Sequence, residues 1–140
     1  MIRACIERDL PFTIIPGVSA ILTALVGSGF SLERFCYRGF LPPKSGGRER
    51  ELRAAAERAE TTVFFESPHK INKTLAACAE IMPERQVCVA RELTKKFEEF
   101  RRGTAAELLA HYEAKPAKGE ITFLVSGDDK SAAPLRASPS

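Results

Sequence analysis

Short apolar runs alternate along this chain with stretches whose apolar residues recur at helical spacing, and that alternation limits the folds open to it. Thr61-Thr62-Val63-Phe64-Phe65, Gln86 to Ala90 and Ile121 to Val125 are β-branched and aromatic runs with polar or turn-forming borders, which predicts buried strands. Between them, Ile71, Leu75, Cys78 and Met82 share one helical face, and Thr104 with Glu107 forms a Thr-x-x-Glu capping box that opens a helix through Tyr112. An α/β layered domain follows, its sheet largely covered by helices.

The rest of the chain is placed around this frame. Phe12-Thr13-Ile14-Ile15 predicts a strand stopped by Pro16-Gly17, and Val18 to Ser28 a helix with Ser19 as its cap and Gly29 as its left-handed end. Leu41 to Gly47, with two prolines and two glycines, predicts a mobile, basic loop before a charged helix from Arg48 to Glu60. The inward stripe of that helix is Leu52, Ala55, Ala56 and Ala59. Ser67 is placed to cap the helix after the second run, with Pro68 in its first turn. Ser31 to Gly47 and Lys96 to Gly103 are long enough for functional loops or an antiparallel strand. Residues 1–127 form the predicted domain, and the Ala-, Ser- and Pro-rich residues 128–140 predict a disordered tail. Met1 to Arg8 reads as the end of a helix with nothing before it, which suggests part of a longer protein.

At 140 residues the chain can bury a core without disulfides or metals. Cys5, Cys36, Cys78 and Cys88 are scattered with no Cys-x-x-Cys pair, so they read as small hydrophobes in a reducing compartment. No signal peptide and no 18-residue apolar run is seen, which makes a cytoplasmic protein the default and a membrane partner unexpected. The net charge is only +3, but basic residues crowd the middle from Lys44 to Arg102. An anionic partner is favoured weakly, against the plainer reading of a solvated mixed-charge surface.

Ligands of open α/β sheets sit beyond the carboxyl ends of the strands, and three phrases put chemistry there. Pro16-Gly17-Val18-Ser19-Ala20 allows close backbone approach and offers unpaired N–H groups at a helix start. Glu66, Ser67 and His69 gather a carboxylate, a hydroxyl and an imidazole at one strand end. Arg91, Glu92, Thr94 and Lys95 crowd ionisable groups at another. Each has a plain structural alternative: a strand-to-helix turn, a helix cap with an exposed histidine, an ion-pair network at a sheet edge. No metal site is expected, because His111 lies in a helix that reads as peripheral. Phosphate-binding, Rossmann and serine-esterase signatures are missing, so from the residues alone the reaction stays open.

Taken together, Pro16-Gly17-Val18-Ser19-Ala20, Arg34-Phe35-Cys36-Tyr37-Arg38-Gly39-Phe40-Leu41-Pro42, Phe65-Glu66-Ser67-Pro68-His69-Lys70 and Arg91-Glu92-Leu93-Thr94-Lys95-Lys96-Phe97-Glu98-Glu99 resemble the ribosomal RNA small subunit methyltransferase I family of the tetrapyrrole methylase superfamily. The likeness runs from about Ile2 to Gly127. It implies a mixed sheet with helices on both faces, like the carboxyl-terminal subdomain of such class III methyltransferases, with the amino-terminal subdomain absent. It also implies an S-adenosylmethionine-dependent enzyme, a homodimer, that methylates the ribose 2'-hydroxyl of a cytidine in the decoding centre of 16S ribosomal RNA or the small ribosomal subunit.

By that resemblance, Pro16, Gly17, Ser19, Ala20, Phe65, Glu66, Ala90 and Arg91 would contact the cofactor. Glu92, Lys95 and His69, in that order, are the candidates to take the ribose proton. Lys44, Arg48, Arg50, Lys96, Arg101 and Arg102 would hold RNA phosphates. Lys70 stands where many family members carry arginine, which keeps the charge and loses the planar fork. A tetrapyrrole substrate and a non-catalytic RNA-binding or dimerisation module are the alternatives.

Overall fold

The computed structural model describes residues 1–14, 19–93, 95–96 and 98–128. Its elements run α1 (Ile2–Glu7), α2 (Ala20–Ser28), β1 (Phe35–Phe40), α3 (Ser45–Glu57), β2 (Thr61–Glu66), α4 (Ile71–Ile81), β3 (Gln86–Arg91), β4 (Glu99–Thr104), α5 (Ala105–Ala114) and β5 (Ile121–Val125). The five strands form one sheet in the order β1-β2-β5-β3-β4. β1 and β2 are parallel, while β5 is antiparallel to both β2 and β3, and β4 is antiparallel to β3. The sheet is therefore mixed, and β1, β2 and β3 all point the same way.

Strand alternation divides the core in two. Phe64, Val87, Val89, Ile121, Phe123 and Val125 face α3, α4 and α5, where Leu52, Ala55, Ile71, Leu75, Cys78, Leu108 and Tyr112 meet them. Val63, Cys88, Ala90 and Leu124 face the other way, against Ala24 and Leu25 of α2 and against Phe30. Helices thus cover both faces, as expected. Each large aliphatic side chain fully buried here stabilises the fold by about 1.5–3 kcal/mol relative to exposure. Cys78 and Cys88 are buried in these cores, and burial pushes both thiols up to about 12. Cys5 and Cys36 are only half-buried.

Several local readings hold to the residue. Ser19 caps α2, its hydroxyl accepting the Leu22 N–H at 3.3 Å, and Gly29 ends it with φ 75°. Thr104 caps α5 by accepting the Glu107 N–H at 3.3 Å. Others are corrected. Phe12 to Ile14 lie in no strand, and the rest of that predicted run falls outside the described residues, as do Pro16, Gly17 and Thr94 and the tail from Asp129. Helix α3 starts at Ser45, three residues before the predicted Arg48, and stops at Glu57. Ala59 of the predicted stripe is exposed.

Ser67 does not cap α4. Its carbonyl accepts the N–H groups of Lys70 and Ile71, so a turn separates β2 from the helix, which begins at Ile71. The two long connections each carry a strand: β1, parallel to β2, and β4, the antiparallel one. In β1 the register slips between Tyr37 and Gly39, where Gly39 has φ 74°. The Arg38 side chain beside it forms a two-pronged ion pair with Glu51 of α3, at 3.1 and 2.9 Å. That hydrogen bond holds the Glu51 carboxyl below its ordinary range.

Candidate active site

Because β1, β2 and β3 are co-directional, their carboxyl ends meet at one edge of the sheet. Register puts Glu66 beside Ile121, Ile121 beside Arg91 and Arg91 beside Glu99, so the second and third phrases stand in one row across four strands. The sheet then separates neighbours. Phe65 and Ala90 lie on the α2 side, Glu66 and Arg91 on the α4 and α5 side.

On the α2 side the surroundings are apolar. Phe65 packs edge-on against Tyr37, with ring centroids 5.3 Å apart, and against Phe40 at 5.6 Å. Phe40 is 70% exposed, so these rings wall an open surface beside the strand ends. Ala90 is fully buried in the same core as Leu25, a core against which Ile21, the residue that follows Ala20 at the start of α2, also packs. Ser19 is half-buried and Ala20 exposed. Of the eight residues expected at a cofactor, Ser19, Ala20, Phe65 and Ala90 therefore belong to the α2 face.

On the other side the polar groups are engaged internally. Glu66 is 5% exposed, and its carboxylate accepts the Thr74 hydroxyl at 2.7 Å and the Ser67 N–H at 2.9 Å. Arg91 donates to Glu99 at 3.3 and 3.5 Å and to the Lys118 carbonyl at 2.6 Å. Tyr112 donates its hydroxyl to the same Glu99 at 2.7 Å, and Arg101 lies 3.7 Å from it. Burial pushes the Tyr112 phenol up, and its bond to Glu99 adds to the effect. For Glu99, burial raises the carboxyl, but the hydrogen bonds from Arg91 and Tyr112 and the charges of Arg91 and Arg101 outweigh it, so the net direction is down. This is the ion-pair network at a sheet edge that the sequence left open as an alternative for Arg91.

Glu92 follows with φ 50°, in the left-handed region. Its N–H donates to the Glu120 carbonyl at 3.1 Å, and its carboxylate accepts the Glu120 N–H at 2.9 Å. Lys95 lies 3.5 Å from Glu92 and 3.6 Å from Glu120, half-exposed at the edge. His69 is exposed in the turn after β2. The three proton-transfer candidates thus stand at neighbouring strand ends, with Lys95 and His69 facing solvent.

The basic set divides as well. Lys44, Arg50 and Lys96 are exposed. Arg48 is buried, donating to the Pro43 carbonyl at 2.8 Å, and Arg102 donates to the Gly27 and Ser28 carbonyls at 2.6 and 2.9 Å, closing the end of α2. Sequence reasoning missed Thr74, Lys118, Gly119 and Glu120. A threonine inside the apolar stripe of α4 was the available signal for the first, and a glycine just before β5 for the others. Among the described residues no helix is long and apolar enough to cross a membrane.

Comparisons with known proteins bear on this arrangement. The chain is 44% identical over 133 residues to the ribosomal RNA small subunit methyltransferase I of Erythrobacter litoralis, covering 95% of this chain and 47% of that protein. The proteins of the same name from Bacillus subtilis and Thermotoga maritima are 42% and 38% identical, over 82% and 92% of this chain and 39% and 58% of their own lengths. The chain spans about half the length of the curated relatives it matches.

Solved structures share the fold. The methyltransferase CobJ superposes with a TM-score of 0.62 at 22% identity, over 91% of this chain and 56% of that one. A uroporphyrin-III C-methyl transferase from Thermus thermophilus, complexed with S-adenosyl homocysteine, gives 0.56 at 16% identity, over 91% and 57%. The family model of tetrapyrrole (corrin/porphyrin) methylases matches residues 1–109, and with the mixed sheet and its row of strand ends this shows that the chain belongs to the tetrapyrrole methylase family.

Proposed function

We propose that residues 1–127 form the carboxyl-terminal subdomain of an S-adenosylmethionine-dependent methyltransferase that 2'-O-methylates a cytidine ribose in 16S ribosomal RNA. The observation that carries this reading is the identity of 38–44% over 82–95% of the chain to proteins named for small-subunit ribosomal RNA methylation. Their extra length is the support for a second subdomain, on which the expected cleft would depend.

The residues on the α2 face suit the cofactor. The exposed rings of Tyr37 and Phe40, packed on the half-buried Phe65, offer an apolar surface to an adenine, and the start of α2 at Ser19 and Ala20 offers backbone N–H groups to a carboxylate. Pro16 and Gly17 would extend that contact by the resemblance. With their side chains engaged on the opposite face, Glu66 and Arg91 would contribute through backbone atoms at the strand ends.

When bound, the cofactor supplies a methyl group on a sulfonium, so the protein's task is to place the ribose oxygen in line with it and accept one proton. The candidates at the strand ends for that proton are Glu92, Lys95 and His69. Lys44, Arg50 and Lys96 are the exposed cations that would meet phosphates, while Arg48, Arg101 and Arg102 shape the protein itself. A cytoplasmic homodimer acting on the small subunit fits this reading, and the exposed Leu22, Val26, Phe35 and Phe40 on and near the α2 face supply apolar surface for the other subdomain or a second copy.

Calorimetry with S-adenosylmethionine tests the reading, on this chain and on the same chain joined to a presumed amino-terminal half. The joined protein should bind. If it binds no cofactor, the methyltransferase reading fails.

A further inference from the structure

Glu92 is held by contacts that a free general base would not need. The residue sits at the end of β3 with φ 50°, a conformation that non-glycine residues adopt rarely and keep only where the surroundings impose it. What imposes it is the segment that leads into β5. Arg91 holds the Lys118 carbonyl at 2.6 Å. Glu92 exchanges two hydrogen bonds with Glu120, donating its N–H to the carbonyl at 3.1 Å and accepting the Glu120 N–H on Oε1 at 2.9 Å.

Between those two partners lies Gly119, with φ 81°, and a Cβ on it would collide with the Glu92 carboxyl group. Only glycine, lacking a side chain, leaves the carboxylate its seat there. The second oxygen, Oε2, faces the Lys95 ammonium at 3.5 Å, and the Lys95 N–H donates to the Glu92 carbonyl at 3.0 Å. Both oxygens of the carboxylate and both backbone polar groups of Glu92 are thus engaged.

We propose that Glu92 is a positioning residue and not the proton acceptor: its carboxylate, seated over Gly119, ties the end of β3 to the segment from Lys118 to Glu120 and holds the Lys95 ammonium at the strand-end edge where substrate would lie. A carboxylate that must accept a proton from a ribose needs an oxygen turned towards it. Here one oxygen is hydrogen-bonded to a backbone amide and the other faces a lysine. Glutamine can keep the first of these bonds through its carbonyl oxygen and alanine can keep neither. The role assigned to Lys95 rests on the methyltransferase reading; the clamp itself does not.

The clamp is measured in this chain by amide hydrogen exchange, followed at the Glu120 N–H with amides in the centre of β5 as the control for global opening. Glu92→Ala should accelerate exchange at Glu120 by about tenfold, the loss of one hydrogen bond to a charged acceptor, and Gly119→Ala should do the same with Glu92 intact. Glu92→Gln should stay within about threefold of wild type. In the double variant, alanine at 119 should add little once Glu92 is alanine, because both changes act through the same carboxylate.

Methylation by the joined protein gives the second readout: Glu92→Gln should restore most of the kcat that Glu92→Ala loses, with the pH profile of kcat keeping its wild-type shape. Glu92→Gln as inactive as Glu92→Ala, with Glu120 still protected, overturns the proposal and makes Glu92 the base. Unaltered exchange in Glu92→Ala overturns the clamp. A wild-type joined protein that binds no cofactor defeats the enzymatic reading while leaving the exchange result standing.

Discussion

The Thr74 hydroxyl donates to the Glu66 carboxylate across 2.7 Å, and this bond turns the acidic residue of the Glu-Ser-Pro-His phrase under α4, away from the α2 face. The pair is buried, so removing the donor leaves the second carboxylate oxygen of Glu66 without that partner, while the first keeps the Ser67 N–H. Thr74→Val should cost about 1–3 kcal/mol of stability in urea unfolding, whereas Lys73→Ala, on the exposed side of the same helix, should stay within about 0.5 kcal/mol. Equal midpoints for the two variants would refute the role given to the pair.

Gly27 packs against the Phe100 ring so closely that a Cβ would enter it. Gly27→Ala should therefore destabilise the protein by about 1–3 kcal/mol through overpacking, although alanine favours helices. Phe100→Leu in the same chain should recover part of the loss. If Gly27→Ala raises the unfolding midpoint, the contact between α2 and β4 is looser than described.

Arg102 closes α2 with two hydrogen bonds to its last carbonyls. Arg102→Ala should cost about 1.5–3 kcal/mol, the value of hydrogen bonds from a charged donor, and Arg102→Lys should not restore it, since an ammonium lacks the fork. The proposed RNA binding gives the contrast. Lys44→Ala and Arg50→Ala should each flatten the salt dependence of affinity by about one unit of slope, and Arg102→Ala should leave the slope unchanged. A flattened slope for Arg102→Ala would show that it meets phosphate.

Glu99 links stability to acidity. Its folded carboxyl lies below the ordinary value of 4.5, because the hydrogen bonds from Arg91 and Tyr112, with the charges of Arg91 and Arg101, outweigh the burial that raises it. The unfolded chain then binds more protons in that window, so the stabilisation is complete above about pH 4.5 and is lost as pH falls through the lowered folded value. Tyr112→Phe removes one donor and should make the acid loss shallower in melting curves taken from about pH 6 down to about pH 2. An unchanged acid limb would mean that Tyr112 does not help hold the carboxylate ionised.

The strands legible in advance, β2, β3 and β5, are those whose residues are nearly all buried, so hydrophobicity alone reports them. β1 and β4 lie at the two sheet edges and read Phe-Cys-Tyr-Arg-Gly-Phe and Glu-Phe-Arg-Arg-Gly-Thr, mostly exposed or half-exposed, which leaves no apolar run to see. Ser45 to Gly47 join α3 despite two glycines, because helix propensity is a weak prior once tertiary contacts act. At the site, the Glu66 and Arg91 phrases locate the ends of β2 and β3 correctly, while the predicted strand before Pro16 is not a strand over Phe12 to Ile14. Period-two alternation then sends Phe65 and Glu66, or Ala90 and Arg91, to opposite faces, so neighbours in one phrase do different work. Gly119 and Glu120 escaped notice because their meaning comes from Glu92, 27 and 28 residues earlier in the chain.

The sheet order has a consequence for how the molecule is made. β5 sits between β2 and β3, bonded to both, and it is the last strand of the described chain. Until it emerges from synthesis, β1 with β2 and β3 with β4 are two separate pairs, each showing the other an open edge. Closure of the sheet, and the alignment of Glu66 with Arg91 across Ile121, waits for Ile121 to Val125 to slide between them. Joining the two pairs is therefore a long-range pairing, and a chain interrupted before Ile121 holds both halves of the strand-end row without the strand that brings them together.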